Sequence, residues 1–275
     1  MKKGIMKNSI KILLLTVLFS VSCDSTDTAE GPEIGYKYGE YKTYSVQNSV
    51  CETIATPKNY TRINLRKNSF AEWMRYLPVK STGSAVLTYS GRALPDGRYN
   101  IRRVIDLPFL SNRNIEQCAD WGYRFWYEYQ KDAGVVEDLW MTDYNGYRKT
   151  YRQWKIGRRN PSLKKFFVWV CDNANSYSQK MGLYEVEEQN LMPGDLIVQN
   201  QTGGIGHVSV IFDICANENG EKLYLVGYSF MPAQECHIEK ADDKFGVGGW
   251  FTLEGYYRHT AGFGDIVLRS FIEQE

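Results

Sequence analysis

Histidine is scarce in this 275-residue chain, with only His207, His237 and His259 present. Two of the three stand alone, and the adjacent pair Cys236-His237 is not a usual ligand spacing, so no metal site is expected. The chain also lacks a P-loop, a Rossmann glycine fingerprint and a Gly-x-Ser-x-Gly elbow. Nucleotide binding, dinucleotide binding and serine hydrolysis are therefore without a sequence basis, and no cofactor is expected. No internal repeat is visible. The apolar run at residues 12–21 is too short to span a bilayer as a permanent helix.

That run does have a reading. Lys2, Lys3, Lys7 and Lys11 precede it without an acidic residue, and Ser22-Cys23 follows it. This is the pattern of a secretory signal, and a small residue directly before cysteine resembles the cleavage site of a bacterial lipoprotein, with Ser20 standing where that motif more usually has Leu. The expectation is a signal peptide over residues 1–22, an acylated Cys23 with a polar tether over residues 23–35, and a single domain over residues 36–275. The lipid on Cys23 would hold the chain to a membrane of the cell envelope without crossing it. Loss of the signal removes four of the 33 basic residues and leaves 29 against 32 acids, a formal charge near −3. That balance disfavours a nucleic-acid partner. Five further cysteines, Cys51, Cys118, Cys171, Cys215 and Cys236, sit among core-building residues. An odd number leaves at least one thiol free in an oxidising compartment.

Ser69 and Glu72 form a capping box before Phe70, Trp73, Met74 and Leu77, and Pro78 ends that helix. Residues 85–90 and 99–107 look like strands. Asn114 as N-cap and Gln117 three residues later predict a helix over residues 115–131 with Cys118 in or just past its first turn, facing inward. Its aromatics, from Trp121 to Tyr129, suit either a sugar-stacking floor or a large core. A hairpin is expected over residues 139–150, turning at Asn145-Gly146. The basic, aromatic segment at 147–159 is either a patch for anionic glycan or a solvated surface with aromatic stems beneath. Asn160-Pro161 predicts the start of a long helix reaching Gly182, with Cys171 in its buried stripe.

Residues 191–234 read as three consecutive strands. Alternation on the middle one places His207, Ser209, Ile211 and Asp213 on one face, and Val208, Val210, Phe212 and Ile214 on the core face. Turn length leaves two choices for the neighbour of His207: Tyr228 and Phe230, or Gly227 and Ser229. The C-terminal part, residues 246–271, is expected to hold one strand amid irregular packing.

A thiol becomes nucleophilic where a helix N-terminus stabilises its anion and an imidazole takes its proton. Cys118 and His207 are the candidates for those two roles, with Ser229 or Gln234 to orient the imidazole and Gln117 as a candidate oxyanion donor. The structural alternatives are an inert buried thiol and a satisfied core histidine.

The order of elements, with PGDLIV and GHVSVIF, resembles the NlpC-type and CHAP-type cell-wall peptidases. The resemblance implies an α+β fold of papain-like type, an antiparallel sheet packed against helices. It departs from those families at the nucleophile, where Gln117-Cys118-Ala119-Asp120 stands, and in having no clear third polar residue. SFAEWMRYLPVK, QCAD, GDLIV with GHVSVI, YSFMPAQECH and GGWF together resemble the bacterial family called domain of unknown function 4846. The reading is a membrane-anchored thiol amidase or peptidase acting on cell-envelope peptide. The alternative is a non-catalytic envelope lipoprotein of the same fold that binds glycan, such as peptidoglycan, or a partner.

Overall fold

The computed structural model describes residues 45–200 and 206–273. The expected signal, Cys23 and the tether lie outside them. The chain runs through α1 (Val50–Thr53), β1 (Thr61–Arg62), α2 (Phe70–Arg75), β2 (Ile101–Val104), α3 (Cys118–Asp132), β3 (Trp140–Thr142) and β4 (Arg148–Thr150). Then come α4 (Tyr151–Lys155), α5 (Leu163–Asn173), α6 (Ser176–Gly182), β5 (Tyr184–Glu185), β6 (Leu196–Gln199), β7 (His207–Ala216) and β8 (Lys222–Tyr228). The chain closes with β9 (His237–Glu239), β10 (Gly246–Val247), β11 (Trp250–Phe251), α7 (Leu253–His259) and β12 (Ile266–Ser270). This is an α+β fold, and all its named strand pairs are antiparallel.

The central sheet runs β10-β11-β8-β7-β6-β12-β5, so the three expected strands form its middle in sequence order. The C-terminal strand β12 slots in between β6 and β5. Both faces are covered. Val208, Val210 and Phe212 pack with Trp121 and Phe125 of α3, whereas Ile211, Ile214 and Val226 pack with Leu253 and Tyr256 of α7. The three-strand stretch is therefore buried on two sides, where alternation predicts a single core face, because α7 covers the second face.

A bulge alters the expected alternation. Ile211 pairs with Val226, but Asp213 pairs with Leu225, so Phe212 is the extra residue. Asp213 is thereby turned to the opposite face from His207, Ser209 and Ile211, correcting the simple period-two reading. It is fully buried between Arg62 (2.6 Å) and Arg75 (2.7 Å).

Two helix starts also differ from expectation. The cysteine helix begins at Cys118 with Gln117 as N-cap, because Glu116 adopts φ +69° and breaks the helical run before it. Asn114 instead accepts the N–H of Ala233 at 2.7 Å. Residues 160–182 form two helices rather than one: Ser162 caps α5, and Asn175 receives the N–H groups of Tyr177 and Ser178 to start α6. Residues 85–90 make only isolated bridges, Leu87 with Ala93 and Thr88 with Gln234. The capping box at Ser69 and Glu72 and the hairpin with Gly146 at φ +84° are as expected.

Candidate functional site

Cys118 is the first residue of α3, a 15-residue helix. The turn that delivers it is built from buried charge. Glu116 accepts the N–H groups of Leu110 (2.7 Å) and Ser111 (3.0 Å) and pairs with Arg124 (2.6 Å), one helical turn and a half into α3. That clamp holds Glu116 in a left-handed conformation that costs backbone energy outside glycine. The Asp120 carboxylate then takes the N–H of Gln117 at 2.9 Å, the half of a capping box that fixes the first turn.

The sulfur of Cys118 accepts the main-chain N–H of Val208 and lies against the N–H groups of Cys118 and Ala119. It opens on a cleft of about 390 Å³ that Asn114, Gln117, Asp120, Cys171 and Ser176 also line. Burial pushes the thiol up to about 11, with Asp120 adding to the rise and the three N–H groups opposing it. Burial likewise raises Asp120 to about 7.

His207 stands one residue before Val208, and its ring goes the other way. Val208 faces α3, so His207 points toward α7. There it stacks on Phe263 at 4.5 Å and meets Tyr228 at 5.0 Å and Phe230 at 5.7 Å. The bulge at Phe212 decides this pairing: it brings Tyr228 and Phe230, rather than Gly227 and Ser229, to the His207 face. The ring is fully buried, and neither nitrogen has a hydrogen-bond partner among the described residues. Burial lowers His207 to about 3, with His237 and His259 contributing. It is a neutral imidazole, and it is not hydrogen-bonded to Cys118.

The other candidates are likewise occupied. Ser229 donates its hydroxyl to the Gln234 carbonyl at 2.7 Å, and the Gln234 amide donates to the Tyr99 hydroxyl at 2.9 Å. Neither reaches His207. Gln117 is half-buried at the cleft rim with its amide donating to the Asn114 carbonyl at 3.4 Å. Residue reasoning missed Asp120 and Cys171 as cleft groups. Cys171 had a signal in the inward face of the α5 stripe, whereas Asp120, two residues from Cys118 and so on a different helix face, had none, and only docking of α5 beside α3 brings Cys171 to them.

The aromatics of α3 resolve to one use. Trp121, Tyr123, Phe125, Trp126 and Tyr127 are all buried, filling the core rather than offering a floor to sugars. The basic segment is likewise internally matched: Arg148 lies over Tyr184 (3.7 Å) and Trp140 (4.2 Å), and Arg158 over Trp154 (4.5 Å). Among the described residues, no group of three or more His, Cys, Asp or Glu could hold a metal ion, and no helix is long and apolar enough to cross a membrane.

An α+β domain with a thiol at the head of its central helix is the class these features define. The chain belongs to the family described as domain of unknown function (4846), whose model matches residues 50–180 and 160–261. No curated protein and no solved structure matches it.

Proposed function

We propose that this chain is a papain-like thiol amidase or peptidase of the bacterial cell envelope, held to a membrane by a lipid on Cys23 and acting on peptidoglycan peptide. The observation that supports this most is Cys118 itself, the first residue of a long helix, open to a cleft and surrounded by main-chain N–H donors. Such donors can hold the charge of a thiolate and, during acyl transfer, of an oxyanion. The α3 helix packed on an antiparallel strand that begins with histidine is the arrangement the papain-like comparison requires.

In this mechanism the Cys118 sulfur attacks the substrate carbonyl, and His207 accepts the thiol proton and returns it to the leaving amine. The N–H groups at the start of α3 face the oxyanion, with the Gln117 amide at the rim. The imidazole must leave its aromatic surroundings to do this. The ring lies on the face of β7 opposite α3, so β7 must turn at His207 to bring it to the sulfur. Ser229 or Gln234 would orient the ring only after giving up the bonds they make here.

The test is release of soluble fragments from purified peptidoglycan by the mature chain, compared with Cys118→Ser and His207→Ala. Release that both substitutions abolish is the expected result. Release by wild type no greater than by Cys118→Ser across pH 5 to 9 sinks the proposal.

A second reading is favoured by the neutral state of both groups. A thiol pushed up to about 11 and an imidazole lowered to about 3 suit a binding protein whose Cys118 and His207 are packing residues. In that case wild type and Cys118→Ser co-sediment equally with peptidoglycan and neither cleaves it.

A further inference from the structure

The cleft that Cys118 lines holds a second thiol. Cys171, in the last turn of α5, lines the same cavity and is only partly buried. Its sulfur accepts the N–H of Glu116 and donates its proton to the Asp120 carboxylate. Cys171 is thus bracketed by the residue two before Cys118 and the residue two after it. The remaining described cysteines lie elsewhere: Cys215 is fully buried in β7, Cys236 is fully buried just before β9, and Cys51 lies in α1 beside Arg62. None of the five is in a disulfide.

Three groups in one cleft, two thiols and a buried carboxyl bonded to one of them, are the parts needed for thiol–disulfide exchange. We propose that Cys118 and Cys171 form a reversible disulfide across this cleft by exchange with a low-molecular-weight disulfide, Asp120 taking the proton of Cys171.

The Cys118 sulfur, deprotonated by solvent base beside the α3 N–H groups, attacks one sulfur of the small disulfide. The S–S bond of that molecule breaks and one thiolate departs, leaving a mixed disulfide on Cys118. Cys171 then passes its proton to Asp120 and attacks the Cys118 sulfur, expelling the second thiolate. Two protein thiols are oxidised, one small disulfide is reduced to two thiols, and Asp120 returns its proton to solvent. A carboxyl raised to about 7 is suited to both halves of that transfer near neutral pH. The disulfide would also remove the attacking sulfur of the amidase. That consequence rests on the functional reading above, whereas the cross-link itself does not.

The experiment equilibrates the mature chain with stepped ratios of reduced to oxidised glutathione, quenches with acid, alkylates free thiols and maps cross-links by mass spectrometry. The expected result is a Cys118–Cys171 linked peptide that rises with the oxidised fraction. Cys171→Ser should stop at glutathione on Cys118. Asp120→Asn should accumulate the mixed disulfide and change the pH dependence of the second step, a readout that a purely structural aspartate would not move. Glutathione persisting on Cys118 of wild type without a cross-link overturns the proposal. So does a native chain that forms no disulfide even at the fully oxidised end. Because the cross-link is read without any hydrolysis assay, its absence leaves the amidase standing. A cross-linked protein that never cleaves peptidoglycan removes only the amidase.

Discussion

The main-chain N–H of Val208 reaches the sulfur of Cys118. This bond joins the head of α3 to the second residue of strand β7, next in sequence to His207, whose ring lies on the other face of the sheet. Contact of the Val208 backbone with the thiol and separation of the His207 ring across the sheet together govern the behaviour expected of this site.

The first expectation concerns the thiol. With burial raising it to about 11, Cys118 in the free protein carries roughly 300-fold less thiolate at pH 7 than an ordinary cysteine near 8.5. Alkylation of the Cys118 peptide by iodoacetamide, followed by mass spectrometry, should be correspondingly slow at pH 7. It should speed up with each pH unit through 10. A rate equal to that of a free model thiol at pH 7 would contradict the burial described here.

His207 should make the fold acid-sensitive. Its folded pKa, about 3, lies below the unfolded value near 6.5, so the unfolded chain binds more protons between those limits. Its contribution to stability is fully present above about pH 6.5 and is lost as pH falls toward 3. In His207→Leu the orphaned ring nitrogens and this acid loss both disappear. Urea unfolding at pH 7 should give equal or greater stability than wild type, and the advantage should grow at pH 4.5. An advantage that shrinks on acidification would show that the imidazole is already charged in the fold.

Asp213 tests the bulge. Its carboxylate, fully buried, binds Arg62 from β1 and Arg75 from α2. Asp213→Ala leaves two guanidinium groups facing a truncated partner and should cost about 3–5 kcal/mol in denaturant unfolding. A loss below about 1 kcal/mol would mean that water takes over the role of the carboxylate.

Arg148 separates a glycan patch from a packed surface. Its guanidinium lies over the Tyr184 and Trp140 rings and donates to the Gly182 carbonyl at 2.9 Å. Arg148→Ala should therefore lower stability by about 1–2 kcal/mol without weakening retention on anionic polysaccharide. Weaker retention at unchanged stability would return the segment to the role of a ligand patch.

Much of the frame was legible in order and composition. The three central strands, the capping box at Ser69 and Glu72, the Asn145-Gly146 hairpin and the cysteine near a helix start rest on local signals that act within a few residues. Two helix starts were not legible. The ion pair between Glu116 and Arg124 holds the preceding turn in a left-handed conformation, and Ser162 wins the cap that Asn160-Pro161 suggested. Both outcomes depend on partners or geometry beyond the local pattern.

The sequence by itself determined that three consecutive strands, β6, β7 and β8, form a buried sheet and that Cys118 lies near the start of a helix, because hydrophobic periodicity and capping chemistry are local. Only the tertiary structure decided which groups meet. One extra residue at Phe212 sets which β8 side chains surround His207, and alternation sends its ring to the face opposite α3. The docking of α5 then puts Cys171, rather than an imidazole, in the cleft beside Cys118 and Asp120 of α3. Side-chain direction across a sheet and helix-to-helix contact are long-range outcomes of packing, and no spacing along the chain encodes them.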